Sequence, residues 1–524
     1  MNVAPPRQTE WNAEKIAHHL HHPLRSTLSS GATYLAILLI FLAGCQPSAT
    51  PTTTQQPFQG QKLQLLLPEG QPFAASWDLA VKDWSVETGA EIEVKTITTE
   101  QSNGTAALPT GSLAVVTWPQ ANALVVKDRV GVMSPGVLAE THLDWNDVLF
   151  GVRENLSRDG RQPAICPLTA PVLVCFYRED LLSQAKRQPP ETWDDYQKLA
   201  ESIEQWAPGQ KVFEPWHPEF RGTLLLARSA AAARHPANYS VFLDIETGAS
   251  RIASPPFEQA LHRMRAVAPH LSRDSLSSRP IDVRKGLLSG QIALGIGYLP
   301  AQQNASEAIT RPDGIRIGIA PLPGESRFYD GSRQAWDVSP EKQVQRVPLA
   351  GFEGWTAVVS RDSSAVQTEA AWNLLQRLTL SEQAIELPIP IRTPVRESQT
   401  TQPDHYAGSG LTGTEPARYV GVVANQLRNA LLLAELPCLA REKLLAALNA
   451  ELQTLPSDKR TDSELLQAVH DRWEQILDGE NRDLVRRSYR RRIGLVTVPA
   501  TTVSASPTSL TPSKAVPAGR TEPR

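Results

Sequence analysis

Trp118 closes a short apolar run, Leu113–Trp118, and is followed at once by Pro119. Such a run reads as a strand buried on both faces, and open α/β sheets gather ligands at the carboxyl ends of their strands. A wide apolar ring in that place is either a ligand-facing group or a plug at the edge of a core, and its type leaves both open. Tryptophan is the commonest aromatic of the chain, 12 against 11 Phe and nine Tyr. Covalent chemistry has fewer candidates. Four of the 11 histidines, His18, His19, His21 and His22, crowd the first 22 residues, and His217, His235, His262 and His270 are scattered without a base–nucleophile context. The chain contains no Gly-x-Ser-x-Gly, no His-Glu-x-x-His, no Gly-x-x-x-x-Gly-Lys-Ser/Thr and no Cys/His cluster with zinc spacing. A glycosidase needs only two carboxylates, which have no sequence signature. Cys166 and Cys175 are compatible with a disulfide or with two buried thiols, and their apolar surroundings favour thiols.

Of the other two cysteines, Cys438 stands alone late in the chain, and Cys45 ends the segment Leu42-Ala43-Gly44-Cys45, which closes a 13-residue apolar run from Ala32 to Gly44. The run is too short for a helix across a hydrocarbon core of about 30 Å, and fits a signal-peptide core. The segment resembles the lipobox of bacterial lipoprotein signal peptides. That resemblance implies cleavage before Cys45, lipid on its thiol, and a chain held at a membrane by its acyl groups. The alternative is an uncleaved anchor. Either way the bulk of the chain is expected outside the cytoplasm, on the periplasmic side or the cell surface.

The 524 residues carry a net charge of −3 with no long run of one sign, so nothing points to nucleic acid. A chain of this length exceeds what one core holds, and two lobes are expected. Residues 45–61 are Pro, Thr, Ser and Gln, a flexible tether, and 498–524 repeat that composition as a disordered tail. Between them, Lys62 to Leu67 reads as a strand, Ser76 to Thr88 as an amphipathic helix stopped by Gly89, and Glu91 to Thr98 as a strand, the alternation of a parallel α/β unit. Trp355 to Ser360 reads as a further strand and Ser364 to Leu378 as a helix. Apolar spacing predicts helices over Ala424–Leu436, Ala440–Leu455 and Ser463–Leu477, the last capped by Asp462 or Ser463.

Pro189-Pro190-Glu191-Thr192-Trp193-Asp194-Asp195-Tyr196 is a helix start: prolines end an extended segment, Thr192 caps, and two aspartates face the positive end of the dipole. The block resembles the signature of extracellular solute-binding proteins of ABC transporters, sugar-binding group of the family 1 type. Asp83–Val94, Leu113–Trp118, Leu243–Pro255, Gly286–Pro300, Ile315–Gly324, Gly351–Ser360, Ala371–Thr379 and Pro394–Arg396 resemble successive elements of that family in order, over about 400 residues.

The resemblance implies an α/β, two-lobe periplasmic-binding-protein-like fold of type II, with hinged lobes and extra C-terminal helices. It divides the chain into lobe 1 (62–168), lobe 2 (169–300), a return to lobe 1 (301–358), and a return to lobe 2 with the C-terminal helices (359–497). It implies a small solute, a sugar or oligosaccharide, captured in the interlobe cleft and delivered to an ABC-type permease. The receptor is expected to be a monomer with no cofactor, metal or catalysis. Aromatic faces stack on sugar rings and carboxylates accept from hydroxyls, which selects Trp118, Glu214, Trp216 and Tyr298, with Trp355, Trp77 and Glu69 as further candidates. Glu214 could instead cap the helix expected over Arg221–Ala233, and Tyr298 could brace a hinge. Pro167-Leu168-Thr169-Ala170 departs from the family where several sugar binders carry an acid. The basic stretch 482–492 reads as a solvated helix face, or as a contact to anionic lipid or a permease. Two other functions stay open: a ligand-sensing or non-transport receptor on the same scaffold, and a surface carbohydrate-active enzyme.

Overall fold

The computed structural model describes residues 56–98, 108–133, 135–139, 144–237, 240–300, 309–379, 392–406 and 408–495. Cys45 and the apolar run before it, most of the tether, and the tail from 498 lie outside the described residues. Among those described, no helix is long and apolar enough to cross a membrane.

The chain begins as its periodicity requires. β1 (Lys62–Pro68) buries Leu63, Leu65 and Leu67, and α1 (Phe73–Thr88) buries Phe73, Trp77, Val81, Trp84 and Thr88, three or four residues apart along one face. Gly89 stops α1 at φ 75°, its N–H bonded to Ser85 O at 2.9 Å. β2 (Glu91–Ile97) and β3 (Ser112–Thr117) both pair parallel with β1. Trp118 is not the last strand residue but the first of α2 (Trp118–Val126), with Pro119 in the first turn, where a missing N–H costs nothing. β4 (Ile165–Pro167) completes one edge of this sheet. The chain then crosses to a second sheet through β5 (Val174–Arg178).

Five helices and strands of the second lobe follow: α3 (Trp193–Glu201), β6 (Lys211–Phe213), α4 (Arg221–Ala233), α5 (Pro255–Val267) and α6 (Val283–Leu288). The start of α3 is a complete capping box: Thr192 Oγ1 accepts from Asp195 N–H at 3.2 Å and the Asp195 carboxylate from Thr192 N–H at 3.0 Å. β7 (Ile292–Gly297) and β8 (Ile317–Pro321) complete the second sheet, ordered β8-β5-β7-β6. A hairpin of β9 (Arg327–Asp330) and β10 (Ala335–Val338) precedes β11 (Trp355–Val359), which returns to the first sheet and lies antiparallel to both β3 and β4. The first sheet is therefore β2-β1-β3-β11-β4.

Two boundaries differ from expectation. The segment 301–358, expected in lobe 1, contributes β8 to the second sheet, where it pairs with β5; only β11 enters the first. The segment from 359, expected in lobe 2, opens with α7 (Ala365–Thr379). This helix packs in lobe 1: Trp372, Leu374, Leu375 and Leu378 share the core of β1, and Trp84 Nε1 donates to Asn373 Oδ1 at 2.7 Å. Apolar spacing shows that an element is covered on one face, without showing by which sheet.

α8 (Glu415–Arg428) replaces the helix expected over Ala424–Leu436. Glu415 fixes its start, accepting from Ile317 N–H at 2.8 Å and from both arms of Arg311 at 2.7 Å, and residues beyond Arg428 turn to pair Leu433 with Leu349. α9 (Arg441–Glu451) and α10 (Asp462–Gly479) lie close to expectation, but Thr461 caps α10, its N–H bonding the Glu464 carboxylate at 2.8 Å. α11 (Arg482–Arg492) carries the basic stretch. One core spans the first sheet and the face of the second sheet under α8; the other lies between the opposite face of the second sheet, α3 to α5, and α9 and α10. Cys166 sits in β4 and Cys175 in β5, on different sheets, as buried free thiols. Burial pushes the Cys166 thiol up to about 11. Replacing Thr192 by alanine removes the cap of α3 and is expected to lower stability by about 1 kcal/mol, read from the midpoint of urea unfolding.

Candidate functional site

The carboxyl edge of the first sheet presents Glu69 after β1, Thr117 at the end of β3 with Trp118 after it, and Trp355 at the start of antiparallel β11, paired with Thr117. The corresponding edge of the second sheet presents Tyr298 after β7 and Glu214-Pro215-Trp216 after β6. Two connectors join the sheets, Leu168–Leu173 and the segment leading into β11, and they touch. Leu168 and Thr169 N–H both donate to Trp355 O at 3.0 Å, and Thr169 Oγ1 accepts from Trp355 N–H at 2.9 Å. Gly354 lies against them at φ +98°, where a Cβ would stand 2.6 Å from Pro171 Cδ and 2.7 Å from Thr169 O. Only glycine fits both the conformation and the space.

The nominated side chains fall into two groups around this crossing. Trp118 is completely buried; its Nε1 donates to Thr169 O at 2.6 Å and its backbone N–H to Gly354 O at 3.2 Å. Tyr298 is buried with its hydroxyl bonded to Glu353, and burial raises the pKa of both groups. Trp355 is half-buried, edge-on to Phe73 at 5.4 Å, and Phe73 in turn meets the buried Trp77 at 5.2 Å. Glu69 is exposed. Thus Trp118, Trp355 and Tyr298 converge on one crossing, to which Trp77 is linked through Phe73.

Glu214 and Trp216 form the second group, inside lobe 2. Both are 0% exposed; Trp216 Nε1 donates to Glu214 Oε2 at 3.0 Å, and Arg228 of α4 pairs with Glu214 Oε1. The Arg228 guanidinium lies 4.5 Å from the Trp193 ring and 5.3 Å from the Tyr196 ring. Glu214 is therefore an ion-pair partner of α4 and does not cap it. Sequence reasoning missed Thr169, Glu353, Gly354 and Arg228. The signal for Gly354 was the glycine-flanked run Gly351-Phe352-Glu353-Gly354 before a strand; for Arg228 it was a charge in mid-helix among apolar and small residues of α4, a helix buried on all sides. A further cluster, His235, Asp330 and Asp337, holds its ligand atoms within 4.8 Å of one another, but Arg333 pairs with both carboxylates and Ser332 donates to Asp330, which makes it an ion-pair knot.

α11 makes a second connection between the lobes. Tyr489 and Ser240 share a hydrogen bond at 2.8 Å and Arg490 donates to Ile245 O at 2.9 Å, both in lobe 2. Arg492, buried, donates to Asn122 Oδ1 at 2.7 Å and Leu156 O at 2.9 Å in lobe 1, and burial pulls its guanidinium down to about 10. The end of the basic stretch, Arg491 and Arg492, is thus a strap between the lobes.

Two facing sheets joined at crossing connectors define the class. The sugar-binding protein MalE from the phytopathogen Xanthomonas citri covers 81% of this chain and 99% of its own, with a TM-score of 0.60 at 16% identity. Maltose-bound MalE3 of T. maritima covers 79% of this chain and all of its own (TM-score 0.55, 15% identity), and a solute-binding protein of an ABC transporter from Agrobacterium radiobacter K84, in complex with ribitol, covers 80% and all of its own (0.54, 16%). At such identities the likeness establishes the two-lobe binding-protein fold. No curated protein matches the chain by sequence. The family described as bacterial extracellular solute-binding protein matches residues 80–388, more than half of the chain, and the chain belongs to that family.

Glu214→Gln keeps the shape of the buried pair and strands the Arg228 charge. It is expected to cost about 3–5 kcal/mol of stability, measured by chemical denaturation, whether or not a solute is present.

Proposed function

We propose that the chain is an extracytoplasmic receptor that takes a small polyhydroxylated solute, a saccharide or polyol, between the two sheet edges and delivers it to an ABC-type permease. The observation that carries the reading is the crossing at Thr169 and Gly354, which sets the half-buried Trp355 ring and the Tyr298–Glu353 pair at the junction of two lobes. Hinged lobes joined in this way close over ligands placed between their edges. The solute class draws on the structural relatives, which hold maltose and ribitol. Trp355 is the stacking face, since Trp118 and Trp216 already have protein partners. Cys45 is the lipid anchor, and binding needs no catalysis.

A second reading, a receptor that senses a ligand for a membrane partner without feeding a permease, rests on the strap. Arg491 and Arg492 tie α11 to lobe 1, so opening of the lobes has to break buried hydrogen bonds.

A thermal-shift panel of mono- and oligosaccharides, polyols and amino acids tests the first reading. A solute at about one hundred times its Kd stabilises the native state by about 2.7 kcal/mol, a rise in Tm of a few degrees. A saccharide or polyol is expected to give that rise, and Trp355→Ala to weaken its binding about tenfold, the loss of one ring contact worth about 1.4 kcal/mol. Responses confined to amino acids, or none, contradict the proposed solute class.

A further inference from the structure

The strap accounts for only part of the basic stretch. Arg482 pairs with Glu474 and Asp478, Arg486 and Arg490 bond Glu246 and the hairpin around it, and Arg492 is buried. Arg487 and Arg491 instead face a groove of about 1100 Å³ between α11 and lobe 1. Its opposite wall carries Arg161, on the turn after Gly160, and Arg361, which follows β11.

Charge in the groove is unbalanced. Arg361 and Arg491 converge on the same oxygen of Asp128, the latter at 3.1 Å, and Arg491 also pairs with Asp159. Those two carboxylates are thereby occupied. Arg487 Nε reaches only a backbone carbonyl, Asp483 O at 3.3 Å, and Arg161 is exposed with no partner among the described residues. Four guanidiniums thus meet two carboxylates, on a floor that includes Val130 and the partly exposed Leu484. A planar guanidinium fork pairs with two oxygens of a phosphate at once, and guanidiniums on opposite walls can hold one tetrahedral oxyanion from two sides.

We infer that this groove is a binding site for a phosphate-class oxyanion, either free phosphate or the phosphodiester of an anionic lipid headgroup. Arg161 and Arg487 are its primary ligands, and Arg361 and Arg491 the charge behind them. An occupant touches α11 and lobe 1 together, so it reinforces the strap. The site is separate from the sheet edges and does not depend on which solute they take.

The test uses the full chain and the double variant Arg161→Ala/Arg487→Ala, which removes no carboxylate's partner and so spares the fold. Lys459→Ala/Arg472→Ala, two exposed cations outside the groove, removes the same charge and serves as the control for net charge. One arm titrates inorganic phosphate by calorimetry and thermal shift; the other floats the protein with phosphatidylcholine vesicles, with and without phosphatidylglycerol. Phosphate binding that raises Tm and weakens at least tenfold in the double variant, but not in the control, assigns a free anion. Phosphatidylglycerol-dependent flotation lost in the double variant, with no response to phosphate, assigns the headgroup, since the acyl anchor acts equally on both vesicle types. If wild type and double variant behave alike in both arms, or the control loses as much, the site is refuted.

Discussion

Gly354 is the point at which the structure tolerates no side chain. Its φ of +98° and the approach of Pro171 and Thr169 exclude any side chain, and through that contact the two connectors are locked against one another. The backbone N–H of Trp118 bonds Gly354, its ring bonds Thr169, and the backbone of Trp355 makes three more bonds to Leu168 and Thr169, so the edge of the first sheet is registered to the crossing by five hydrogen bonds. The second sheet joins the same point through Tyr298 and Glu353. The half-buried Trp355 owes its position to this arrangement.

The abundance of tryptophan has a structural explanation. A buried indole brings much apolar area and one N–H that can bond an acceptor on a neighbouring element. Trp118 gives its N–H to Thr169, Trp206 to Leu199, Trp473 to Leu444, Trp84 to Asn373 and Trp216 to Glu214. Most of these bonds join separate elements, so each ring fixes a neighbour as well as filling a core. The buried Glu214–Arg228 pair works similarly, tying the turn after β6 to α4. Desolvating two charges is costly, and the nearby Trp193 and Tyr196 faces offset part of that cost at Arg228.

Local signals in the sequence carried over into structure where the physics is local. Thr192 and Asp195 are three residues apart and cap α3; Gly89 ends α1; the strand–helix–strand alternation from Lys62 to Ile97 makes the parallel unit. Legibility failed where partners are distant. β8 has the same apolar face whichever sheet receives it, and α7 the same spacing over either lobe. Glu214 reads as an acid near a helix start, and only the fold brings Arg228 onto it from within α4. Trp118 and Trp216 are of a ring type suited to sugars; in the structure the same property, a flat apolar face with one polar corner, serves the frame. Pro119 marked the end of β3, though its preference for the first helical turn moved Trp118 into α2.

The most direct test of the account is the distance between the lobes, measured by pulsed electron resonance between spin labels on Lys82→Cys in α1 and Lys198→Cys in α3, both exposed positions. With the lobes hinged at Thr169 and Gly354, a solute that raises Tm narrows the distance distribution and shifts it to shorter values. A bound solute that leaves the distribution unchanged would contradict the hinged receptor.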